Sequence, residues 1–362
     1  MLRFTLVSAL LATAACNQAA PYDRIDSSLK TPLKPGEAYS LARLTDDKYR
    51  ISSIAVSDNY LFLATSWQGV YRMPKYGGAL TAVEEDAKAV GRVAANRDTV
   101  FWNRTTFGSG DAAHTQVKQQ PAAGGATSIL FEGDFGPFGN SEYPTFVATG
   151  DALYMMRSDN PGDFSIRLDR LSLRDGAQAT VASFPDTGGS TIPWPTAWAL
   201  TGDHLYYTTY AGLPRTIMDV KLSAGSTTPL ALDAAISVGF LAADATGLYS
   251  GLPGPALGLA KISPTDGAVR SLYENPDLQL ESRTSTVAID ADNIYVVTRD
   301  KTGGNQIQAA PKAGGAPTVI GSGSQFQYGL EQFLQDGDNL YVLHDGHEVL
   351  LLPKKPGAFA AP

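Results

Sequence analysis

Two short landmarks recur in the same order seven times along the 362 residues, and few folds tolerate such a pattern. The first is a turn that leads into an aliphatic residue and then an aromatic one. Its copies are DTVFW (98–102), DALYM (151–155), DHLYY (203–207), DNIYV (292–296) and DNLYV (338–342), with weaker ones at NYLFL (59–63) and TGLYS (246–250). The aligned rings are Phe62, Phe101, Tyr154, Tyr206, Tyr249, Tyr295 and Tyr341, at spacings of 39, 53, 52, 43, 46 and 46 residues. A second, glycine-bearing turn follows each: PKYGG (74–78), PAAGG (121–125), LRDGA (173–177), LSAGS (222–226), SPTDG (263–267), PKAGG (311–315) and PKKPG (353–357).

Each unit resolves into four short strands, a to d. In the first unit these are SIAVSD, YLFLATS, GVYRMPK and ALTAVEE, with the first landmark as a tight a–b hairpin and the second as the c–d hairpin. Strand a reads as nearly continuous apolar sequence in FVAT (146–149), WALT (198–201), FLAA (240–243) and VAID (287–290), as expected of a strand covered on both faces. Four-stranded antiparallel units of this length match the blades of an all-β propeller, each of which covers its faces with its neighbours. Seven blades are expected, with six or eight as the adjacent counts and an open β-solenoid as the alternative architecture. The last unit breaks off after strand c, and AYSLARLTD (38–46) is the segment available to complete it and join the two ends of the chain. The 36 glycines and 22 prolines are spread along the chain, which suits many turns between short strands.

With these repeats the chain resembles the YWTD-like and NHL-like propellers. It is most similar to predicted bacterial lipoproteins of myxobacterial type, whose repeats run roughly Asp-x-x-x-Val-Tyr-Trp followed by Pro-x-Gly-Gly. The resemblance spans about residues 38–357. It departs where Tyr-Val, Tyr-Met and Phe-Leu replace Tyr-Trp, and where the first copy has Asp58 one position early. It implies a fold and leaves the activity open.

The opening MLRFTLVSALLATAAC has one cation, Arg3, then an apolar run from Phe4 to Ala12, then small residues up to Cys16, the sole cysteine. A spanning helix needs roughly 20 apolar residues, so this run reads as a secretory signal. It looks like a lipobox, with Thr13 where leucine is usual, and implies cleavage before Cys16 and lipidation there. Ordinary cleavage that leaves a thiol is the alternative. Each buried methylene adds about 0.8 kcal/mol, so two or three acyl chains anchor firmly. The expected division is therefore a signal peptide over 1–15, a flexible tether over 16–36 and a propeller over 37–362. The expected location is outside the inner membrane, anchored in the periplasm or at the cell surface. Asn17 after the cysteine favours the outer membrane under enterobacterial sorting.

The formal charge is −8, or −9 once Arg3 is removed, and no basic run occurs, so nucleic-acid binding lacks its electrostatic footprint. In a propeller the a–b and c–d turns share one end and the b–c and d–a loops share the other. The first set is short and repetitive here, while the second varies in length and chemistry, as recognition loops on a rigid scaffold do. Trp67, Phe107, Phe135, Phe138, Tyr143, Trp194, Tyr210 and Tyr328 fall in the second set and are the candidate ligand-binding residues. The rival role for each ring is to tuck beneath its own loop.

Catalytic patterns are sparse. His344 and His347 of HDGH offer two imidazoles, whereas zinc sites need three or four ligands. Sugar-lactonase-like propellers hold calcium with axial acids and amides, for which Asn140, Glu142, Glu281 and Glu331 are the candidates by resemblance; such sites need about six oxygens. Asp98, Asp151, Asp203, Asp292 and Asp338 recur blade by blade and read as turn formers. The expectation is a monomeric, non-enzymatic envelope binder of a protein, peptide or glycan, with no cofactor. The alternatives are a metal-dependent hydrolase of lactonase type and an assembly factor in an outer-membrane complex.

Overall fold

The computed structural model describes residues 25–26, 38–45, 49–66, 68–85, 90–107, 113–135, 146–157, 166–184, 197–208, 216–234, 236–253, 257–281, 286–323, 326 and 329–354. Cys16 and the signal segment lie outside them.

Seven antiparallel sheets follow one another along the chain, as the repeats predict. Blade 1 runs through Ile51–Val56, Tyr60–Thr65, Gly69–Pro74 and Thr81–Glu85. Blade 7 takes Leu330–Gln335, Asn339–His344 and Glu348–Pro353 from the end of the chain, and its fourth strand, Tyr39–Leu44, from the beginning. The expected closure is therefore formed. The a strands of successive blades meet around a central axis, for example Ile51–Val56 against Val90–Ala95 and against Leu330–Gln335.

Each of the seven buried apolar clusters straddles one junction between consecutive blades. All seven aligned rings sit in these clusters, no more than 7% exposed, and each faces the following blade. At the closing junction Tyr341 and Leu351 of blade 7 meet Leu61, Leu63 and Tyr71 of blade 1, with Leu41 of the N-terminal strand. A lone four-stranded sheet cannot hide both faces, so the ring as a whole makes the core.

Four details differ from the sequence reading. Strand b is the strand buried along its length, as in Tyr60–Thr65 and Gly247–Gly251, whereas strand a of blade 7 is half-buried at most positions because one side lines the axis. In blade 6 strand a is divided: Leu278–Leu280 pairs with Thr298–Asp300, and Ala288–Ile289 pairs separately with Ile294 and Tyr295. The hairpin formers are not the recurring aspartates but, in six blades, the residue five before the ring: Ser57, Asn96, Thr149, Asp244, Asp290 and Asp336. Asn96 Oδ1 accepts the Asp98 and Thr99 amides at 3.1 and 2.8 Å, and Asp290 Oδ1 accepts those of Asp292 and Asn293 at 3.0 and 2.9 Å. Asp151 and Asp203 instead reach outward, to Arg170 at 2.8 Å and to the Ser223 amide at 2.9 Å. Lastly, Ile25–Asp26, inside the expected tether, pairs with Leu44 and Arg43 and covers part of the outer edge of blade 7.

Gly69 opens strand c of blade 1 with φ +133°, and a Cβ there would lie 2.0 Å from the Glu84 carbonyl oxygen of the neighbouring strand. Gly69→Ala is expected to cost about 1–3 kcal/mol through backbone strain alone, read as a lower urea midpoint.

Candidate binding face

Strand order puts the a–b and c–d turns at one end of the ring and the b–c and d–a connections at the other. The first end is uniform: each described a–b link is a tight turn of two or three residues, such as Ser57–Asn59, Gly202–Asp203 and Asp336–Asp338. The second end is unequal. In blade 7 the b–c link is Asp345–His347, whereas in blade 2 the neighbouring strands Thr99–Phe107 and Ala113–Pro121 run nine residues each, longer than any other described strand.

Six of the eight candidate rings, Trp67, Phe138, Tyr143, Trp194, Tyr210 and Tyr328, lie outside the described residues. The other two end strands b and d of blade 2, where the register sets Phe107 and Phe135 on either side of Ala113. This pairing joins positions 28 apart in sequence and keeps strands b, c and d of blade 2 paired up to the b–c end as a three-stranded arm. Polar side chains tie the arm across its strands. Gln116 donates to Glu132 Oε1 at 2.8 Å, His114 Nε2 lies 2.9 Å from the same oxygen, and the Thr105 and Thr115 hydroxyls are 3.0 Å apart. The Gln116 amide first, then His114, hold the Glu132 carboxyl below its ordinary range.

The axial entrance at this end carries a group that the sequence did not single out. Gln332 spans the closing junction: its Oε1 accepts the Ile54 amide at 2.9 Å and its Nε2 donates to the Ile54 carbonyl at 3.0 Å. A register shift between Leu330 and Gln332 places Glu331 at the irregularity, where Arg50 donates to it. Arg92, beside a similar shift in blade 2, donates to the Ser52 carbonyl at 3.1 Å. Burial pushes the Glu331 carboxyl up, and the Arg50 guanidinium opposes this only in part.

An acid whose pKa is raised on folding binds its proton more tightly in the folded chain, so it contributes stability that is full below its unfolded-state pKa and is lost as pH rises through its folded one. Arg50→Ala is therefore expected to raise Glu331 further and enlarge its cost at neutral pH. A carboxyl NMR titration reads this; an unmoved Glu331 would show that Arg50 is not its partner.

The metal candidates are already engaged where they are described. Glu331 is held by Arg50, and Glu281 lies 3.5 Å from Arg299, while Asn140 and Glu142 fall outside the described residues. The HDGH turn is local: Asp345 and Gly346 take φ of 52° and 64°, and His347 Nδ1 lies 2.7 Å from the Asp345 carbonyl. Among the described residues no three His, Cys, Asp or Glu side chains group as a metal site.

The geometry defines a seven-bladed β-propeller closed by its N-terminal strand. No protein-family model matches the chain, and no curated protein matches it. Solved structures share the fold at low identity. An oligogalacturonate lyase in complex with manganese is 13% identical with a TM-score of 0.59, over 90% of this chain and 96% of that one. The virginiamycin B lyase of Staphylococcus aureus, solved with quinupristin, is 13% identical with a TM-score of 0.57, over 88% and 99%. YCF48 bound to D1 peptide is 11% identical with a TM-score of 0.56, over 92% and 100%. Lyases and a peptide-bound protein thus share one scaffold, and the scaffold does not decide among activities.

Proposed function

We propose that this chain is an exported envelope lipoprotein, anchored through Cys16, whose propeller binds a protein, peptide or glycan on its long-loop end without catalysis. The observation that carries the binding role is the inequality of the two ends. Seven copies of one unit keep near-identical turns at one end and diverge at the other, where blade 2 extends the arm bearing Phe107 and Phe135. Divergence confined to one end of a repeated scaffold is the pattern that partner recognition leaves. The lactonase-type alternative would require Glu281 and Glu331 to leave Arg299 and Arg50. The anchor rests on the sequence of residues 1–16.

A photo-crosslinking residue at Phe107 of the full-length protein is expected to capture a discrete envelope partner, and the same residue at Asp203, on the uniform end, is not. Equal capture from both ends would sink the binding-face assignment. For the anchor, Cys16→Ala is expected to abolish palmitate labelling and release the protein from membranes. Unchanged labelling would refute lipidation.

A further inference from the structure

The blades differ systematically at two positions. Five residues before the aligned ring, blades 1 to 7 carry Ser57, Asn96, Thr149, Thr201, Asp244, Asp290 and Asp336. At the residue facing the a–b turn just after strand c, they carry Lys75, Ala122, Leu173, Leu222, Pro264, Lys312 and Lys354. Every aspartate in the first set is followed, one blade on, by a lysine in the second. Every neutral residue in the first set is followed by an uncharged one. Blade 7 precedes blade 1 in the ring, so Asp336 matches Lys75.

The structure shows what the matching does. Lys312 of blade 6 donates to Asp244 Oδ2 of blade 5 and to the Asp290 carbonyl of its own blade. Lys354 of blade 7 lies 3.1 Å from Asp290 Oδ2 of blade 6 and donates to the Asp336 carbonyl at 2.5 Å and to Gln335 Oε1 at 2.6 Å. Lys75 of blade 1 lies 3.1 Å from Asp336 Oδ2 of blade 7. The aligned tyrosines complete each unit. Tyr295 donates to Asp290 at 2.5 Å and Tyr341 to Asp336 at 3.0 Å, while Tyr249 reaches Asp244 through the Thr246 hydroxyl at 2.6 and 2.7 Å. Two of the ammonium groups also sit over the preceding blade's ring, Lys312 at 5.3 Å from Tyr249 and Lys354 at 5.1 Å from Tyr295. The Lys354 and Lys312 side chains are 3% and 7% exposed.

A buried ammonium group is tolerated only beside its acceptors, and a wrong neighbour leaves one charge desolvated and alone. The three pairs occupy consecutive junctions, 5–6, 6–7 and 7–1. The last two flank the blade assembled from both chain ends. We propose that Lys75, Lys312 and Lys354, with Asp336, Asp244 and Asp290, form a closure code: they specify which blades lie side by side from blade 5 round to blade 1 and shut the ring at its chain ends. At the remaining four junctions these two aligned positions are uncharged, so the Asp–Lys match is absent there.

Hydrogen exchange on the full chain tests this. Lys354→Met is expected to speed exchange at least tenfold in Asn339–His344 and Tyr39–Leu44, with Ala152–Arg157 of blade 3 unchanged. Adding Asp290→Asn, which removes the unpaired charge, is expected to recover much of the loss. Uniform acceleration in all blades, or a double variant no better than Lys354→Met, would overturn the code. If Lys354→Met fails to fold, transplantation decides. Thr149→Asp and Leu222→Lys at junction 3–4 should each speed exchange of blades 3 and 4, and together restore protection. A pair that behaves as the sum of its singles would refute the proposal.

Discussion

Replacing Leu41 with alanine is expected to destabilise the ring by about 2–5 kcal/mol, the range for truncating a large aliphatic side chain in a packed core. Leu41 is 0% exposed and lies in the cluster that joins blade 7 to blade 1. Its strand, Tyr39–Leu44, is the only source of a fourth strand for blade 7 among the described residues. Losing packing here therefore loosens the seam inside blade 7, where Tyr39–Leu44 is held to Glu348–Pro353 by strand pairing and no covalent link. Ser40, exposed on the same strand, is the control: Ser40→Ala should change stability by no more than about 0.5 kcal/mol. Urea unfolding separates the two, with the midpoint falling for Leu41→Ala alone. A chain beginning at residue 46 should also associate, because the edge of Glu348–Pro353 would lie open to pairing.

Trp102→Ala is expected to cost about 3–5 kcal/mol, again as a lower midpoint at similar slope. The side chain is 0% exposed between Phe62, Val70 and Val90 at the junction of blades 1 and 2. Its Nε1 donates to Glu84, which also holds Lys118 at 2.5 Å across the junction. Trp102→Phe keeps most of the packing but removes the indole donor from a carboxylate that is 16% exposed, at an expected cost of about 1–3 kcal/mol. A Trp102→Ala variant within about 1 kcal/mol of wild type would mean that the junction repacks, contrary to the density expected of a core.

The architecture was legible because its determinants are local and repeated. A turn, a strand of fixed periodicity and a ring at a constant offset mark each blade, and the missing last strand pointed to residues 38–46. What escaped depends on convergence across distant positions. Arg50, Arg92 and Gln332 meet at the axis through register shifts in strands a, and nothing in VGRVAA or LEQFLQ announces a bulge except Gly91. The hairpin formers were misassigned by two residues because Asp290-Ala-Asp292 and Asp336-Gly-Asp338 offer two candidates each, and hydrogen bonding selects the first. The split of strand a in blade 6 was hidden because VAID reads as one strand while Leu278–Leu280 reads as the tail of the preceding one. Phe107 and Phe135 were both named as candidates, but only the register of blade 2 sets them level with each other on either side of Ala113.

The short pairing of Ile25–Asp26 with Leu44 and Arg43 determines the side from which a leash would leave the ring. Leu44 ends its strand where the chain passes over to Ile51 and blade 1, so residue 25 sits toward the rim of the unequal loops. Eight residues lie between it and Cys16, and the nine steps, at roughly 3.3–3.6 Å each, reach about 30 Å when fully drawn out. With acyl chains at Cys16, the rim of blade 7 beside residue 25 would lie within that standoff of the lipid headgroups, on the side of the unequal loops. Targets held close to the bilayer would be in range, and those floating deep in the surrounding fluid would meet the blunt side first.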